Sequence, residues 1–584
     1  MHRLALPSYA HLRDSLSMRN STRAFGALRF ASALALAACS DASTSPTPPP
    51  VVAIVPPAAC AGALSLTAGQ VVTAMPGSSL CIGGVASAAE YALVPFNGDT
   101  SSVATFTVSA TGVAAPGASA DVLASSGASS AFSTTVAPAA NSFPPARAFE
   151  MTLRLSERAA LTPRIPGARA WAQSRSTHAT YDVIPGAVSV GQLLTLNANA
   201  KIPCGSPIYR VGRVAAVTNR AIVVADTGNP AAGFSDAEYA SLGTTFDTLV
   251  DPLDRAAFGD PSDIDNNGRV VLFFTKTVND LTPATSGSYV GGFFFARDLF
   301  PPQGTADACA GSNSGEMFYV MVPDPTRGGP FTKSNVATEV TATLAHEYQH
   351  LINASRRLYV NNANVFEVSW LDEGLAHEAE ELLFYRASGL APHQNIDVAS
   401  LRRSPAVLSA FNSYQSSNFG RYQEYLKHPS AYSPIATNDS LATRGASWSF
   451  LRYATDRLGA TDGSTWYSLV NSTTNGLSNL QNVFGSNVIS QLRDWGVSVI
   501  ADEVPGVVGS YLQPSWNFPS VYAALSKGAA FPLATASLAS GTTTVSLVRG
   551  ANAYLRFAVA AGGSASVQWS SAPSSVQFSL VRLN

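Results

Sequence analysis

Histidine, cysteine and charge are all scarce in this chain of 584 residues. There are eight histidines and five cysteines, and charged residues make up 13%, for a net charge of −2. With no basic stripe along the chain, nucleic acid is excluded as a partner. No cysteines stand at metal-ligand spacing, which argues against a cysteine zinc site. The N-terminal apolar run is too short to span a membrane. No fixed-period internal repeat is visible. Ala, Ser, Thr and Gly are abundant instead and Lys is scarce, a balance that suits an exported protein with much β-structure. The length implies several domains.

The N-terminus carries Arg19, Arg23 and Arg29 and then an apolar stretch ending Leu36-Ala37-Ala38-Cys39. That order predicts a secretory signal over 1–38, with Met18 a possible true start. The small residues before Cys39 resemble the bacterial lipoprotein lipobox, which implies a lipid on Cys39 as the sole membrane attachment. The expected location is the cell envelope or the extracellular medium. The other four cysteines, Cys60, Cys81, Cys204 and Cys309, admit three pairings in an oxidising compartment. Cys60–Cys81 and Cys204–Cys309 are favoured, because each then falls inside one domain.

Residues 39–59 are rich in Pro, Ser and Thr and read as an extended tether. Short runs such as YALVPF (91–96) and VATFTVSA (103–110) predict a small β-sandwich over 60–140. Residues 141–203 read as a connector or propeptide-like segment. Strand-length runs at 220–228, 269–277 and 316–324 follow, with SDAEYASLGTTFDTLV between the first two at helical spacing. They open a central domain over 204–510. The tail, 511–584, returns to β-like runs and reads as a small C-terminal β domain. The fold class is therefore multidomain α+β.

The chemistry sits in TLAHEYQHLINASRR, 343–357. Val336, Val340, Leu344, Leu351 and Ile352 fall near one face at a 3.6-residue period, with Asn335 as expected cap and Arg356 and Arg357 at the end. On that helix His346 and His350 share a face and can both reach one ion. Zinc takes such nitrogen ligands and lowers the pKa of its water to about 7. Glu347 is adjacent and can reach that water as a general base. A second helix is expected in VSWLDEGLAHEAEELLFYRASG, with Ser369 as cap, Asp372 completing a capping box and Gly389 as stop. Glu373 in its first turn is the expected third ligand. His377, one turn on, is a weaker substitute.

HEYQH followed by WLDEG resembles the gluzincin metallopeptidases, and the hyicolysin family most. AHEYQHLIN, WLDEGLAHEAE, AIVVADTGNPAAGFSDAEY and DIDNNGRVVLFFT carry that likeness over roughly 205–505. It implies a zincin-like domain of mixed sheet and active-site helices, with His346, His350 and Glu373 binding zinc and Glu347 as base. The metzincin alternative fails, since Asn353 and Arg356 stand where it needs Gly and His. An oxyanion donor is also needed. The tyrosine found before Lys-Gly-Ala in aminopeptidases has no counterpart in LATRGASWSF, which leaves Arg444, Tyr432, Tyr425 and His428 as candidates.

Two further sites are expected. DPSDIDNNG places Asp263, Asp265 and Asn267 at alternate positions like half of an EF-hand loop, but Phe274 stands where the bidentate Glu belongs; Ca2+ there would be structural. EMFYVMVPD is expected as an edge strand that pairs with substrate. The leading reading is a monomeric zinc endopeptidase acting on protein or peptide substrates. The alternatives are an exopeptidase on the same site and a surface adhesion protein with a vestigial metal domain.

Overall fold

The computed structural model describes residues 2–4, 63–83, 85–117, 134–136, 145–174, 187–282, 288–459, 461–525, 531–538 and 541–584. The expected signal, Cys39, the tether and Cys60 lie outside these, apart from the backbone of His2–Leu4.

Six strands build the central sheet: β1 (Leu193–Asn197), β2 (Tyr209–Val217), β3 (Ala221–Asp226), β4 (Val270–Phe274), β5 (Gly292–Phe294) and β6 (Met317–Val320). Their order is β5-β6-β4-β3-β2-β1. β3, β4 and β6 run parallel and are buried along their whole length. Covered on both faces, such strands show unbroken apolar runs rather than alternation. β6 lies inside the sheet, so EMFYVMVPD is not an edge strand. The edge is β5, which pairs antiparallel with β6. It escaped notice because GFF is too short and Gly-flanked to read as a strand.

Six helices matter for the site: α1 (Pro145–Leu161), α2 (Ile165–Ser174), α3 (Lys333–Ser355), α4 (Ser369–Ser388), α5 (Ser416–Lys427) and α6 (Leu441–Thr455). α3 lies on the sheet, with Leu344, Leu351 and Ile352 buried and Tyr348 edge-on to Phe246. Its cap is Thr332, not Asn335: the Thr332 side chain accepts from Asn335 N–H. α4 begins at Ser369 without a side-chain cap, and Asp372 is drawn to other work. Gly389, at φ +66°, ends α4 in the left-handed conformation that glycine adopts freely.

The two β segments at the chain's ends form one sandwich, not two domains. One sheet runs Ala536–Ser537, Leu555–Val559, Ala89–Asn97, Val576–Arg582, Val71–Ala74. The other runs Ser79–Ile82, Ala565–Ser570, Ala104–Thr111, Gly541–Leu547, Thr134–Val136. Leu93 thus pairs with both Leu555 and Leu580. Alternating burial shows that a strand has one covered face, but not which distant strand lies beside it. Cys204 and Cys309 form a disulfide. Cys81 is also disulfide-bonded, and its expected partner, Cys60, lies outside the described residues.

Candidate metal centre

α3 and α4 run antiparallel: His346 reaches Glu380, near the middle of α4, while His350 reaches Asp372, near its start. This brings the two imidazoles against Glu373. His346 Nε2 and His350 Nε2 are 3.2 Å apart. Glu373 Oε2 is 3.4 Å from the first, and Oε1 is 3.7 Å from the second. All three residues are buried. Two ring nitrogens and a carboxylate facing one another away from water are unfavourable unless a proton or cation lies between them. The donor set and spacing suit a tetrahedral divalent ion with one corner open.

The outward ring nitrogens are held as well. His346 Nδ1 lies 3.0 Å from Glu380 Oε1, and His350 Nδ1 lies 3.1 Å from Asp372 Oδ2. Carboxylates on the far nitrogen fix ring orientation and make the near nitrogen a better donor. Asp372, expected to complete a capping box, serves His350 and accepts from Asn353 Nδ2 at 2.7 Å. His377 groups with His346 and Glu380, a second set of side chains able to hold an ion. It shares Glu380 Oε1 with His346, at 3.4 Å, and Arg421 Nη1 sits 3.1 Å from the other Glu380 oxygen. Glu373, His377 and Glu380 recur one and two turns apart, so their common face was legible in sequence.

Burial opposes charge on His350, yet Asp372 and Glu373 outweigh it and raise its pKa to about 9. Burial likewise opposes ionisation of Glu373, but Arg444 and the histidines hold its carboxyl well below the usual range. Glu347 is anchored to the edge strand, where Phe294 N–H donates to its Oε2 at 2.8 Å. Its Oε1 has no hydrogen-bond partner among the described residues.

Of the four oxyanion-donor candidates, Arg444 contacts Glu373, with Nη1 2.9 Å from Glu373 Oε2. Tyr425 stacks on Tyr422 and packs against Trp495, and Tyr432 packs on His428. Two glycines permit Arg444's reach. A Cβ at Gly374 would meet Leu451 Cδ1 at 2.8 Å, and one at Gly445 would meet the Arg421 backbone at 2.3 Å. α6 therefore packs tightly on both α4 and α5.

Asp263 and Asp265 meet Glu316, their oxygens within 4.8 Å of one another. Asn267 instead donates to Asp265 Oδ2, and its own oxygen accepts from Arg269 N–H. Glu316 stands just before β6, far from the loop in sequence. Burial, aided by Asp263, raises its pKa to about 7.

The fold and centre thus define a class: a buried His-His-Glu site on antiparallel helices beside the edge of a mixed sheet. No family model matches the chain. Over 148 residues it is 36% identical to the neutral metalloprotease ShpI of Staphylococcus hyicus, a span of 25% of this chain and 31% of that protein. The chain thus matches about a third of the length of that relative.

Proposed function

We propose that this chain is a zinc-dependent endopeptidase. The observation that carries the reading is the convergence of His346, His350 and Glu373 beside Glu347, whose second carboxylate oxygen has no partner among the described residues. The similarity to a metalloprotease supports it. When bound, zinc would polarise a peptide carbonyl and acidify a water. Glu347, fixed by Phe294 N–H, takes the water's proton and returns it to the leaving nitrogen. Asp372 and Glu380 keep the imidazoles oriented. Arg444 supplies positive charge beside the reacting region.

An extended substrate would pair along the outer edge of β5. Export, with a lipid on Cys39, is part of the proposal; the Cys204–Cys309 disulfide supports an oxidising compartment. Among the described residues no helix is long and apolar enough to cross a membrane. Asp263, Asp265 and Glu316 would hold a structural Ca2+ away from the peptide chemistry.

The test is casein digestion by the purified chain with and without chelator. Internal fragments that vanish with chelator and return with zinc are expected. Release of single amino acids alone would favour an exopeptidase, and no cleavage by the zinc-loaded protein or by its Leu153→Glu variant would favour the vestigial reading.

A further inference from the structure

The outer edge of β5 is an interaction surface with an occupant already in place. Met321 N–H donates to Gly291 C=O, so the backbone groups of Phe294, three residues on, face outward. α1 takes them. Arg154 Nη1 donates to Phe294 C=O at 3.1 Å, and Glu157 accepts from Ala296 N–H. Arg154 Nε stands 3.9 Å from Glu373 Oε1. Arg158 donates to Ser369 Oγ at 2.7 Å, at the start of α4. Beyond α1, Arg169 donates to Leu358 C=O at 2.9 Å, in the link between α3 and α4. Leu153, Leu161, Ile165 and Trp171 bury the apolar side of the segment. Arg154, Glu157, Arg158, His350 and Asp372 line one small cavity over the centre.

We propose that residues 145–174 are a docked inhibitory segment. Arg154 and Glu157 occupy the edge that an extended peptide needs, and the Arg154 guanidinium blocks the approach to Glu373. The proposal rests on the peptidase reading, and its test separates the two. Full-length wild type, Arg154→Ala/Glu157→Ala and Leu153→Glu are loaded with zinc, and metal content and melting are checked. Binding of a fluorescent peptide hydroxamate and casein cleavage are then followed. Both variants should bind the hydroxamate at least tenfold faster than wild type. Arg154→Lys, which keeps the charge but not the fork, should fall between. Equal binding rates in all four proteins would overturn the docked-inhibitor idea. Faster hydroxamate binding with no casein cleavage by any form would leave it standing and sink the peptidase reading alone.

A separate observation concerns Arg444. Its Nε and Nη2 clasp Asp439 at 2.9 and 3.1 Å, leaving Nη1 aimed at Glu373. We infer that Arg444 is a positioning residue that holds the Glu373 carboxylate in register. Zinc affinity, measured by competition with a chelating dye, should fall about tenfold in Arg444→Met and less in Asp439→Asn, which loosens the clasp only. Unchanged affinity in both variants would refute the assignment.

Discussion

The sandwich and the helix α4 bury their side chains in opposite ways. In the sandwich, Trp569 stacks on Phe578 at 3.8 Å and Tyr91 on Phe557, while the ion pair Arg556–Glu90 stays at the half-exposed rim. In α4, Glu373, His377, Glu378, Glu380 and Glu381 are all buried on one helix. Apolar burial stabilises; buried ionisable groups rarely do, because desolvation takes back most of what pairing gives. A helix that carries such a load is therefore shaped for chemistry, and the sandwich for stability.

That contrast can be broken by substitution. Glu347→Gln should lower the rate of peptide hydrolysis by about 10²–10⁴-fold while zinc content and melting temperature hold, read by turnover beside elemental analysis. Phe578→Ala should do the reverse. It should cost roughly 3–5 kcal/mol in denaturant unfolding, with zinc per folded chain unchanged. Asp372→Asn, which removes the carboxylate behind His350, should weaken zinc binding about 10–100-fold with little loss of fold.

The smallest effect is one of pH. The His350 pKa is raised to about 9 in the metal-free fold, so its protonated form stabilises that fold fully below the ordinary histidine value. That contribution is lost as pH rises through 9. Zinc needs the bare ring, so its affinity should climb by up to about tenfold per pH unit between roughly 6.5 and 9. Thermal shifts with and without zinc across that range check the sign. A zinc-induced shift that shrinks on going alkaline would contradict it.

Spacing along one helix made the centre legible: His346 and His350 are one turn apart, and Glu347 must lie beside them. Glu373 was legible through WLDEG and the expected packing of two helices. What stayed hidden depends on contacts far apart in sequence. Nothing local to Arg154 announces that it will stand over Glu373, and nothing in DIDNNG points to Glu316. Asp372 had a local role in a capping box, and the tertiary contact with His350 overrode it. The sandwich shows the same limit, since Gly541–Leu547 and Ala104–Thr111 each announce a strand but not each other.

Metal content of the purified chain tests the central claim most directly. The account predicts one zinc per chain, stripped by chelator together with hydrolysis, restored with it, and lost in His350→Ala and Glu373→Ala. A folded chain that takes up no zinc, or one that holds it equally well without Glu373, would contradict it.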